Sequence, residues 1–127
     1  MAAARRSSTR ERGRYGEALA EQYLRRAGFR ILARNLHLRH SELDILAMED
    51  DTLCFVEVRL RSGVGFGSAA ESVDARKQRQ LIRAARGLLA RGGLPRFSAL
   101  RFDVVTIDAG RRPPAIRLIR EAFYADT

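Results

Sequence analysis

Apolar residues recur along this chain in two rhythms, and each change of rhythm marks an element. From about Glu11 to Ala27, the residues Tyr15, Ala18, Leu19, Tyr23 and Ala27 follow the three-and-four spacing of one helix face, and Gly28 follows as a stop. Gly13 and Gly16 weaken the start of that helix and permit a close backbone approach. Phe29 to Leu38 predicts a first strand, with Ile31 and Leu32 in the core. Two apolar runs then flank the acidic pair Asp50-Asp51: Leu43 to Met48 and Leu53 to Leu60. They read as a hairpin. A second helix is predicted over 72–91, where Leu81, Ala84, Ala85, Leu88 and Leu89 form the apolar stripe. Gly92-Gly93 ends it, with Pro95 close behind. Leu100 to Ile107 is a strongly apolar strand carrying Asp103. Pro113-Pro114 bars regular structure in the turn after it, and Ala115 to Ile119 predicts a short edge strand.

This order gives an α/β fold, a mixed β-sheet flanked by helices in the sequence αβββαβ. The first three strands make an antiparallel meander, and the helix over 72–91 crosses over to the strand that follows. Residues 1–10 read as a loose basic tail and 11–127 as a single domain without internal repeats.

Charge sharpens this picture. The net charge of +9 over 127 residues favours an anionic partner, and Lys77 is the single lysine in an arginine-rich chain. Arg76, Arg79, Arg83 and Arg86 line one face of the second helix at spacings that repel one another. A phosphate backbone offsets that repulsion; a merely solvated basic face is the competing reading. Extending the apolar stripe one turn back reaches Lys77, which therefore points at the sheet. The lone Cys54 excludes an internal disulfide and suits a reducing cytoplasm. It falls on the strand face opposite Glu57 and reads as a buried small hydrophobe. The basic start has no secretory apolar segment, and no run is long enough for a membrane span. His37 and His40 lack the further ligands of a zinc site.

The hairpin carries the candidate chemistry. With Asp50-Asp51 as a two-residue loop, Asp44 lands opposite Glu57 and Glu42 opposite Arg59. Directly opposed residues lie ~5 Å apart at Cβ, so two carboxylates there call for a positive group between them. A divalent cation with hard oxygen ligands fits. In the bland alternative, Arg59 pairs across the strands with Glu42 and the acids are structural. The glycine-rich stretch at 62–68 lacks the Gly-Lys-Ser/Thr of a phosphate loop, and reads as a connector or as a clamp beside the site.

Several stretches carry a family resemblance. They are Gly-Arg-Tyr-Gly-Glu-Ala-Leu-Ala at 13–20, Ile-Leu-Ala-Arg-Asn at 31–35, Glu-Leu-Asp-Ile-Leu at 42–46 and Phe-Val-Glu-Val-Arg at 55–59. Phe-Gly-Ser-Ala-Ala-Glu-Ser-Val at 66–73, Lys-Gln-Arg-Gln-Leu at 77–81 and Arg-Phe-Asp-Val-Val at 101–105 complete the set. Together they resemble the YraN (UPF0102) family, whose fold is similar to Holliday junction resolvases and restriction endonucleases. The resemblance implies a restriction endonuclease-like core with the PD-(D/E)xK signature. It implies Asp44 and Glu57 as ligands of Mg²⁺ or Mn²⁺, and Glu17 as an additional acid from the first helix. The signature lysine position holds Arg59, and Ser41 stands where the family usually has glycine. Arginine stabilises charge but stays protonated, so it is no base. Lys77 is the expected substitute. Similar resolvases cut branched DNA as dimers, which implies a homodimer.

Three functions follow as alternatives: a metal-dependent endonuclease on structured or branched DNA, a nucleic-acid-binding module with weak or lost activity on the same fold, and a basic protein-interaction domain. Fold likeness alone does not establish activity.

Overall fold

The structure, a computed structural model, describes residues 9–61 and 73–125, with side chains from residue 13 onward. The first eight residues of the basic tail and the glycine-rich stretch at 62–68 lie outside the described residues. Helix α1 (Thr9–Arg26) is followed by β1 (Arg30–Leu38), β2 (Ser41–Glu49) and β3 (Thr52–Arg61). Helix α2 (Ala75–Arg91), β4 (Ala99–Asp108) and β5 (Ala115–Phe123) complete the order. The five strands lie side by side in sequence order. β1, β2 and β3 form the antiparallel meander, β4 joins β3 in parallel, and β5 returns antiparallel to β4.

Alternation along β3 distributes the helices. Cys54 and Val56 pack with Ala20 and Leu24 of α1, together with Phe29, Ile45, Ala47, Val105 and Ile107. Leu53 and Phe55 point the other way and pack with Leu81, Ala85 and Leu88 of α2. On that face Phe102 stacks between Phe55 and Phe123, with ring centroids 5.5 and 4.7 Å apart. The buried residues from Leu53 to Val56 thus alternate between two cores, as a period of two requires. Gly28 stops α1 with φ +102°, a conformation open to glycine at little cost. A Cβ on Gly16 would stand 3.7 Å from Val58 and Leu60, so α1 lies close to β3 there without demanding glycine.

β5 runs four residues past its expected end. Arg120-Glu121 interrupts the apolar pattern, but Glu121 takes a left-handed φ of +55° and donates its N–H to Asp103 Oδ1 at 2.9 Å. This bulge lets the strand rejoin β4 at Phe123. Asp103 also holds Arg101 through Nε (2.8 Å) and an Nη (2.9 Å). Arg101 reaches across to Glu49, and Arg120 grips the same carboxylate. These two arginines hold the Glu49 carboxyl down at about 2. Both guanidinium groups also lie within 6 Å of the Phe29 ring. Asp103 therefore bridges the sheet.

Asp103 is fully buried, so removing its carboxylate leaves the Glu121 N–H and part of the Arg101 fork unsatisfied. Asp103→Ala should lower unfolding free energy by ~3 kcal/mol, read as a shifted denaturant midpoint at unchanged slope.

Candidate functional site

The hairpin closes on Asp50-Asp51, with Glu49 paired to Thr52 and Ile45 to Val56. That is the expected register, and its next step sets Asp44 opposite Glu57. The ladder stops there. Asp44 Oδ2 instead accepts the Val58 N–H at 2.8 Å, a carboxylate doing the work of a strand carbonyl. Facing alternation breaks at the same point. Leu43 joins Leu46 and Met48 on the α2 side, and Asn35, which falls opposite Asp44 on β1, has φ +53°. The expected contact between Glu42 and Arg59 does not form. Glu42 turns to His37 of β1, 3.3 Å away, because the ladder that would align it with Arg59 has ended.

Asp44 and Glu57 share a hydrogen bond. Burial first, and the Asp44 charge second, push the Glu57 carboxyl up to about 7. Burial also raises Asp44, against the opposing pull of the Val58 N–H and of Glu57. Asp44 keeps the backbone donor, so the shared proton rests on Glu57 and the charge on Asp44. The nearby cation is Lys77, whose Nζ stands 3.5 Å from Glu57 Oε1. Its position follows from the helix cap: Asp74 accepts the Lys77 N–H at 2.8 Å, which fixes where α2 begins. Lys77 thus faces the sheet, as the apolar stripe predicts.

Glu17 stays at the margin. Burial raises its carboxyl first and the Asp44 charge next, so it feels the pair electrostatically. Its neighbour Glu21 binds Arg25 at 2.7 Å and Arg34 at 3.1 Å, as the i,i+4 spacing suggests. Among the described residues, no group of three or more His, Cys, Asp or Glu side chains is placed to hold a metal ion. Two hard carboxylates alone match the donors Mg²⁺ takes when substrate phosphate and water complete its shell.

From Glu57 a cleft of about 520 Å³ opens between the end of β3 and the first turns of α2. Arg59, Arg61, Arg76, Lys77 and Gln80 line it, with the capping Asp74. Arg61 and Gln80 escaped the sequence reading. Arg61 was signalled by its place on the strand face of Glu57 and Arg59, and Gln80 by its place in the Lys-Gln-Arg-Gln-Leu stretch at 77–81. Arg76, Arg79, Arg83 and Arg86 are all exposed, and none has an ion pair among the described residues. Cys54 is fully buried and its thiol is pushed up to about 12, so it is no nucleophile.

A mixed five-stranded sheet between two helices, with an acid pair where β2 and β3 part, is an α/β core of the PD-(D/E)xK, restriction endonuclease-like type. Comparison with known proteins narrows this to a family. The sequence model of the uncharacterised protein family UPF0102 matches residues 16–107. A UPF0102 protein of Pseudomonas aeruginosa LESB58 is 43% identical over 122 residues, covering 94% of this chain and 98% of its own. Another, of Rhodococcus jostii RHA1, is 46% identical over 112 residues, covering 87% and 94%. A third, of Chlorobium chlorochromatii CaD3, is 40% identical over 126 residues, covering 94% and 96%. The chain belongs to the UPF0102 family.

The Glu57 carboxyl, raised in the folded state, contributes stability that is fully present below its unfolded pKa and is lost as pH rises towards about 7. Glu57→Gln mimics the protonated form. Thermal unfolding should show the variant equal to wild type near pH 4 and more stable by ~2 kcal/mol at pH 8.

Proposed function

We propose that this protein binds nucleic acid on a restriction endonuclease-like core, with the arginine face of α2 and the adjoining cleft meeting the phosphate backbone. Family membership and the fold support a nucleic-acid-associated protein. The carrying observation is that Arg76, Arg79, Arg83 and Arg86 stand exposed and without an ion pair among the described residues, on a face that runs into the cleft. A face left at that electrostatic cost favours a polyanion. No helix among the described residues is long and apolar enough to cross a membrane, and the buried thiol suits a cytoplasmic setting. DNA affinity should fall steeply with salt, and Arg83→Ala should reduce the slope of log K against log salt by ~1. Affinity indifferent to salt would leave a protein-interaction domain as the surviving reading.

A second reading rests on the Asp44–Glu57–Lys77 cluster: a metal-dependent endonuclease on structured or branched DNA, acting as a homodimer where two cuts are needed. Asp44 and Glu57 would hold Mg²⁺ or Mn²⁺, with Glu17 bonding through water from α1. The ion, when bound, polarises a phosphoryl oxygen and lowers the pKa of the attacking water. Lys77 and Arg59 would stabilise charge on the scissile phosphate. The test is cleavage of linear, flapped and four-way DNA with either ion. Glu57→Ala and Asp44→Ala should each abolish activity, and Lys77→Ala should cut it by ~10²-fold or more. DNA binding without cleavage by the wild type would leave the first reading standing alone.

A further inference from the structure

We propose that the cleft between β3 and α2 is a receptor for the terminal phosphate of a nucleic acid strand, held by Arg59, Arg61 and Arg76. This rests on the nucleic-acid reading above and names the part of the polymer that the cleft takes. Arg59 and Arg61 stand two apart on β3, so their side chains leave the same face, ~7 Å apart. Both line the cleft, and the Nε of each is buried with no hydrogen-bond partner among the described residues. A buried guanidinium N–H without an acceptor is costly, and oxyanions are the ligands that fit its fork. Arg76 faces them from the first turn of α2.

The charge balance selects the phosphate. Lys77 is engaged by the Asp44–Glu57 pair, which leaves, among the described residues, three guanidinium groups facing the capping carboxylate of Asp74. The excess is two positive charges. An internal phosphodiester carries one negative charge, whereas a phosphomonoester carries ~1.5 to 2 at neutral pH. Size agrees: a volume of about 520 Å³ accepts a nucleotide-sized group but no duplex wall. Among the described residues none that lines the cleft is aromatic, so these offer no stacking platform for a base. It reads charge rather than sequence.

The experiment compares one short single-stranded oligonucleotide in three forms: 5′-phosphorylated, 3′-phosphorylated and with both ends hydroxyl. A phosphorylated form should bind about tenfold more tightly than the hydroxyl form, since charge-assisted bonds are worth more than neutral ones. Which end is preferred identifies the polarity of the strand. Arg59→Gln and Arg61→Gln should bring the ratio to about one, while Arg83→Gln weakens all three forms alike and preserves it. Thermal unfolding checks each variant. If Arg61→Gln does not fold, Arg61→Lys keeps the charge without the fork and should still reduce the preference. Equal affinity for all three forms, or a preference indifferent to Arg59 and Arg61, overturns the proposal while leaving nucleic-acid binding intact. If the wild type binds no oligonucleotide, the broader reading fails. Inorganic phosphate then decides for the cleft alone: shifts of the Arg59 and Arg61 Nε–H resonances at millimolar phosphate support it, and no shift overturns it.

Discussion

Two carboxyl groups withdrawn from water against each other are the constraint around which this molecule is arranged. A buried like-charge pair is expensive, and every nearby feature lowers that cost. The strands part at Asp44, so its oxygen reaches the Val58 N–H. Glu57 keeps a proton and bonds its neighbour. Asp74 caps α2 at the residue that delivers Lys77 across the gap. Hairpin, cap and crossover helix are therefore tuned to one spot. That spot is also the floor of the most basic cleft described, so acid and base are segregated by depth.

The sheet's outer strands show a different economy. β1 and β5 each present an open edge, and unpaired edges invite other strands. Each is interrupted by one non-glycine residue in the left-handed conformation, Asn35 in β1 and Glu121 in β5. Each also carries exposed arginines, Arg30 and Arg34 on one and Arg117 and Arg120 on the other. Kinks of this kind discourage edge-to-edge association.

Much of this was legible in the sequence, for physical reasons. A two-residue loop and a period of two are enough to place Asp44 against Glu57, and helical spacing is enough to aim Lys77 inward. Short-range rules failed where a long-range partner decides. Nothing local to Arg59 announces that the ladder ends at Ile45, because that end is set by a side chain bonding a backbone N–H fourteen residues on. The length of β5 was hidden because Asp103 stabilises its bulge from a neighbouring strand. Arg61 became visible as a lining residue only once α2 closed the other wall. Arg101 and Glu49 are 52 residues apart, and no pattern in either segment links them.

The ties that converge on Arg101 give the sheet a mechanical polarity. Glu49 on β2, Asp103 on β4 and Arg120 on β5 are knotted over the Phe29 ring on the α1 face. At the other end of the hairpin, past Ile45, β2 and β3 are joined by the Asp44 side chain, through its bonds to the Val58 N–H and to Glu57. The knotted side acts as a fulcrum and the parted strands as jaws. Opening at the acid pair therefore costs two bonds made by the Asp44 side chain and no backbone rung of the ladder between β2 and β3.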